Sequence, residues 1–229
     1  MTNIFLATDE FLGSLDVTEK VGQSLSLPEA LKSSQLPVTN AISCATVVLI
    51  SGYFENYLKN LVKEYIEAIN ALGKPLSRIP FDMRLKHYSG GADALVWASK
   101  RDKELQSTAI SQDLSSRLAS LSQPQGYILA WEAFANTKSN PGTETVKTIL
   151  SGLEIEKAWV EINGLQTAHG RFDTFLESFI KMRNVCAHTG RHHTPPSGVD
   201  IIDYVDKFRG LAACIDMVTG VRLDVFATP

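Results

Sequence analysis

The sequence predicts an all-α protein, an antiparallel helical bundle, on three observations. Apolar residues recur every third or fourth position through 40–72, 171–189 and 199–218, the period of one helix face. The period-two alternation of a half-buried strand occurs only in Val221, Arg222, Leu223, Asp224 and Val225, near the C-terminus. Proline and glycine gather between the periodic stretches, where they punctuate rather than interrupt.

Taken in order, residues 1–39 read as an irregular N-terminal arm whose helical content the pattern leaves open. In 40–72 the apolar positions are Ile42, Ala45, Leu49, Tyr53, Tyr57, Leu61 and Tyr65, with Glu55, Lys59, Lys63 and Glu67 on other faces. Asn40 offers an N-cap, and Gly73 with Pro75 stops the far end. About thirty uninterrupted residues make this helix the spine of the fold.

A connector over 73–80 leads to a basic loop ending in Ser89-Gly90-Gly91. Residues 92–119 read as one or two helices. Pro124, Gly126, Pro141 and Gly142 punctuate 123–142, and 143–153 is a short helix. The stretch 80–170 thus reads as a helical insertion in a core spanning 40–220, within one domain of 229 residues. Two helices close the core. In 199–218 the stripe is Ile202, Val205, Phe208, Leu211, Ala212 and Ile215.

A chain that is 44% hydrophobic and 21% charged can bury a core without disulfide or metal staples. The net charge of −3 excludes a uniformly basic coat, although nucleic acid needs only a local basic groove. Cys44, Cys186 and Cys214 cannot all pair, and no two stand at metal-ligand spacing. They read as buried thiols in a reducing compartment. Residues 1–10 lack a signal-peptide layout, and the apolar run 44–50 is too short to span a bilayer. The expectation is a soluble, cytoplasmic protein.

The chemistry lies in 171–189. On a wheel of about 100° per residue, Phe172, Leu176, Phe179, Ile180, Cys186 and Ala187 fall within roughly 60° of Arg183. Glu177, Lys181, Asn184 and His188 take the other side. An arginine therefore stands in the middle of an apolar stripe, where an unpartnered guanidinium is too costly to bury. It must meet a carboxylate, such as Asp203 or Asp206 on the following helix, or else open onto a cleft or a subunit interface. Gly190 is suited to end the helix, with Pro195 and Pro196 beyond it. His188 thus occupies the last turn, where free carbonyls favour a cationic imidazole, a property useful in a general acid or base.

Arg183-Asn184-Val185-Cys186-Ala187-His188 resembles the R-x4-6-H motif of the HEPN superfamily, including the polar residue after the arginine. The segment FIKMRNVCAHTG is similar to the form common among small prokaryotic HEPN proteins. Ile50 to Leu58, with Phe54-Glu55-Asn56-Tyr57-Leu58, resembles the first core helix of the RiboL-PSP-like branch. The resemblance spans roughly residues 40–220.

It implies a homodimer in which two such motifs face one cleft, cleaving single-stranded RNA without a metal or other cofactor and leaving a 2′,3′-cyclic phosphate. His188 would move the proton, Arg183 would stabilise the phosphorane-like charge, and Asn184 would orient the histidine or bind phosphate. Arg191, His192 and His193 would hold RNA phosphates. Such proteins serve as toxins or antiviral effectors held by an inhibitory, antitoxin-like partner. The tyrosine that a related toxin branch carries two residues after the histidine is replaced here by Gly190.

Two rivals stand against this. Cys186, His188, His192 and His193 are zinc-ligand types close in sequence, but Gly190 breaks the helix that would align them, and no distant ligand motif accompanies them. The alternative within the family is a non-catalytic HEPN module that binds RNA or a partner protein, for which Arg84, Lys86, His87, Tyr88, Trp97, Lys100 and Arg101 provide a basic, aromatic middle region. Ser89-Gly90-Gly91 lacks the lysine and spacing of a phosphate-binding loop.

Overall fold

The computed structural model describes residues 4–122, 126–137, 141–165, 170–190 and 192–228. They form α1 (Leu6–Leu25), α2 (Leu36–Ala71), α3 (Phe81–Leu105), α4 (Ala109–Ser120), α5 (Thr143–Gly152), α6 (Ala158–Gly164), α7 (Phe172–Thr189) and α8 (Gly198–Ala227). Short 3-10 turns lie at Leu76–Arg78 and Trp131–Ala133, and among the described residues there is no strand.

Four helices make the bundle. Backbone amides of Leu6 and Ala7 donate to Glu64 near the end of α2, each at 2.8 Å, so α1 runs antiparallel to α2. Ile4 and Phe5 donate to Asp216 of α8, and the Thr8 hydroxyl joins them at 2.7 Å. These carboxylates take up the N–H groups that a helix start leaves without partners, and they suit its positive end. Each helix sends a ring to the centre. Phe11 of α1 stacks on Tyr57 of α2 at 4.9 Å, while Phe208 of α8 meets Phe54 at 5.0 Å and Phe179 of α7 at 4.8 Å. Burying such a ring contributes about 1.5–3 kcal/mol relative to leaving it in water. Helices α3 to α6 pack beside this bundle, α3 and α4 through a smaller cluster of Ala94, Ala98, Leu114 and Ala130.

Several expectations change. The N-terminal arm contains a full helix, α1, whose buried Phe11 and Leu15 belong to the core. Helix α2 begins at Leu36, with proline in its first turn, so Asn40 lies inside it rather than capping it. Tyr57, Leu61 and Tyr65 are buried, but Ile42 and Leu49 remain 42% and 44% exposed. Successive steps of four residues advance about 40° beyond a full turn, so Ile42 and Tyr65 end on different faces.

The Ser89-Gly90-Gly91 loop is the middle of α3. A Cβ on Gly90 would lie 1.9 Å from the Ala133 carbonyl oxygen, and one on Gly91 would lie 2.3 Å from Leu118. These glycines serve close packing of α3, not a turn. The helix ends at Gln106, in the left-handed region at φ 50°. The strand candidate 221–225 is the last part of α8, because Leu223 and Phe226 reach the core at helical spacing while a lone strand has nothing to pair with. Helix α6 was not anticipated.

Helix α2 is long and apolar enough, by length and composition, to cross a membrane, although the expectation counted only residues 44–50. Its second half is the buried centre of the bundle. Its first half presents Val38, Ile42, Ala45 and Leu49 outward.

Candidate functional site

Arg171 is the N-cap of α7, and its guanidinium pairs with Asp173. Phe172, Leu176, Phe179, Ile180 and Cys186 face the core as the wheel requires, but Ala187 is exposed. The helix closes on Gly190 at φ 65°, whose amide donates to the Cys186 carbonyl at 2.9 Å. Glycine adopts that angle without the steric cost of a Cβ.

Arg183 is half-buried on the edge of α7 that faces α2. Its Nη1 donates to Asn184 Oδ1 at 3.2 Å, and its Nε is buried without a partner. The carboxylate whose titration it influences is Glu55 of α2. The proposed pairing with Asp203 is not made, since Asp203 is held at 2.7 Å by Lys207 on its own helix. Glu55 Oε1 accepts from Lys59 Nζ at 2.7 Å and from the Thr137 hydroxyl at 2.7 Å. Burial pushes the Glu55 carboxyl up, but those two hydrogen bonds and the charges of Lys59 and Arg183 outweigh it and hold it below the usual carboxylate range. The result is a positively biased edge: the charges of Arg183 and Lys59 both act on one carboxylate, and the buried Arg183 Nε meets no partner.

His188 lies in the last turn of α7 and is exposed. Five residues on an ideal helix separate two positions by about 7.5 Å along the axis and about 140° around it. Arg183 turns inward toward α2 and His188 outward. His192 and His193 lie in the α7–α8 loop, their rings stacked at 4.4 Å, with His192 Nδ1 accepting from the Thr194 amide at 3.0 Å. Arg191 falls outside the described residues.

Cys186 is buried beside Cys44, and its thiol is pushed up to about 12 by burial and by that neighbouring thiol. It therefore turns away from His188. Among the described residues no three His, Cys, Asp or Glu side chains converge as metal ligands would.

Sequence reasoning gave Glu55 no role, and it missed Lys59 and Thr137. The Glu55–Lys59 spacing of four was a visible helical pair. Thr137 comes from a stretch without periodicity, so only folding brings it to α2.

An all-α bundle carrying an arginine and a histidine five residues apart on one inner helix defines a HEPN-type domain. The chain matches the RiboL-PSP-HEPN family model over residues 23–218, from the end of α1 through most of α8, and it belongs to that family. Neither the curated proteins nor the solved structures gave a match.

Proposed function

We propose that the protein is a metal-independent endoribonuclease that cuts single-stranded RNA as a homodimer, in the setting of a toxin or an antiviral effector. The observation that carries this is Arg183, half-buried beside Asn184 with an Nε that meets no partner, on the same helix as an exposed histidine. In the reaction the RNA 2′-oxygen forms a bond to the adjacent phosphorus and the bond to the 5′-oxygen breaks. His188 moves the proton and Arg183 binds the phosphoryl oxygens as their charge grows. The products are a 2′,3′-cyclic phosphate and a 5′-hydroxyl.

The dimer is supported by the outward stripe of α2. Val38, Ile42 and Leu49 are 56%, 42% and 44% exposed, and Ala45 lies between them at helical spacing. Val185 of α7 is also exposed. An apolar seam of this kind needs a cover, and a second copy provides one while bringing a second Arg183 and His188 to the same region.

The test is cleavage of end-labelled single-stranded RNA in EDTA. Wild type should yield cyclic-phosphate ends. His188→Ala should lower the rate by about 10²–10⁴-fold and Arg183→Ala by about 10²–10³-fold, both with unchanged helix content. No cleavage by folded wild type, with or without divalent metal, would replace the enzyme with a non-catalytic binding module. Cleavage only with metal would overturn the mechanism.

A further inference from the structure

A cleft of about 300 Å³ opens beside the Arg183 site, between α2, α3 and the segment that follows Trp131. Lys59 and Thr137 belong to both places: they line the cleft and both hydrogen-bond to Glu55. Trp97 of α3 and Trp131 form its aromatic walls, with Trp97 58% exposed and Trp131 half-buried. Gly90 and Ala94 leave room on the α3 side, and Asp93 stands among the lining residues. Glu132, also in the lining, is already engaged by both Nη atoms of Arg117, each at 2.8 Å.

Such a volume lies at the low end for small-molecule sites, enough for one flat heterocycle and not for a folded peptide element. Exposed indole faces stack on nucleobases, and unpaired RNA offers bases splayed out for such stacking. We propose that this cleft is a nucleobase subsite that selects guanine in the RNA strand next to the cleaved bond. The identification of the occupant as an RNA base rests on the ribonuclease reading above. A carboxylate can only accept hydrogen bonds, and guanine alone among the four bases presents two adjacent N–H groups, N1–H and the 2-amino group, to receive it in parallel. Adenine and cytosine set a lone pair beside their amino group, and uracil flanks its single N–H with two carbonyls, so each turns an acceptor toward Asp93. The neutral base tolerates the acidic lining, while Lys59 at the shared wall and Arg183 beyond it meet the phosphate.

The experiment is titration of the intact protein with GMP, AMP, CMP and UMP, read by quenching of tryptophan fluorescence, alongside cleavage of RNAs with a single varied base. GMP should quench saturably and bind roughly ten-fold more tightly than UMP, in line with the discrimination of one bidentate base contact. Trp97→Ala should remove most of the quenching and Asp93→Asn the guanine preference, both at exposed positions where folding is checked by circular dichroism. Trp159→Phe should change neither, since that indole lies outside the cleft and donates to the Thr143 carbonyl. Equal binding of all four nucleotides, or quenching untouched by Trp97→Ala, overturns the subsite. Guanine binding in the cleft without RNA cleavage keeps the subsite and removes the ribonuclease; cleavage indifferent to base and to Trp97 does the reverse.

Discussion

Glu55 illustrates what one carboxylate does when two donors and two cations surround it. Held below the usual range, it is ionised across neutral pH, so it cannot be the group whose protonation sets the rate there. Glu55→Gln should therefore lower the plateau of the cleavage rate without moving the inflection of its pH profile. Loss of the inflection would make Glu55 the proton-transfer group.

His87, buried in α3, behaves differently. Its Nδ1 accepts from the Ala130 amide at 3.3 Å, and burial, reinforced by the Arg117 charge, lowers its pKa to about 4 from 6.5. The unfolded chain thus binds the proton more readily than the folded one between these values. The contribution of His87 is complete above pH 6.5 and is lost as pH falls toward 4. Glu55 and Asp173, with lowered carboxyls, lose their contribution only below the ordinary carboxylate range. A plot of Tm against pH should slope downward between 6.5 and 4.5 in wild type and flatten in His87→Asn; an unchanged slope would discharge His87 from that role.

At the scale of elements, the same residue type has opposite uses in two helices. Gly90 sits against the backbone of Ala133, which cannot retreat as a flexible side chain would. Gly90→Ala should cost about 1–3 kcal/mol. Gly13 in α1 has nothing within 4 Å of its would-be Cβ, so Gly13→Ala should gain about 0.5–1 kcal/mol from reduced unfolded-state freedom and better helix propensity. Chemical denaturation of the two variants checks both signs. This pair also explains why α3 was misread. A glycine doublet signals a turn in sequence, and only the position of Ala133 and Leu118 turns it into a packing device inside a helix.

For the whole molecule, the proposed dimer rests on the exposed seam of α2. Leu49→Asp places a charge in the seam without entering the bundle core, so it should shift the sedimenting species from dimer to monomer with helix content kept. Cleavage should fall with the dimer. A wild type that sediments as a monomer at working concentration would remove the composite site.

The sequence by itself determined the all-α class, the spine, α7 and α8 as far as residue 218, because a buried helix face needs apolar residues at a fixed local period. It also marked Arg183, since a charge inside an apolar stripe is costly anywhere. It could not place Glu55, Lys59 and Thr137 in one cluster, assign α1 and α6, or tell a packing glycine from a turn. Those features depend on what lies across the interface from each residue, such as Asp216 under the start of α1 or Ala133 against Gly90. Local period sets which face is buried; only the packed chain sets what that face meets.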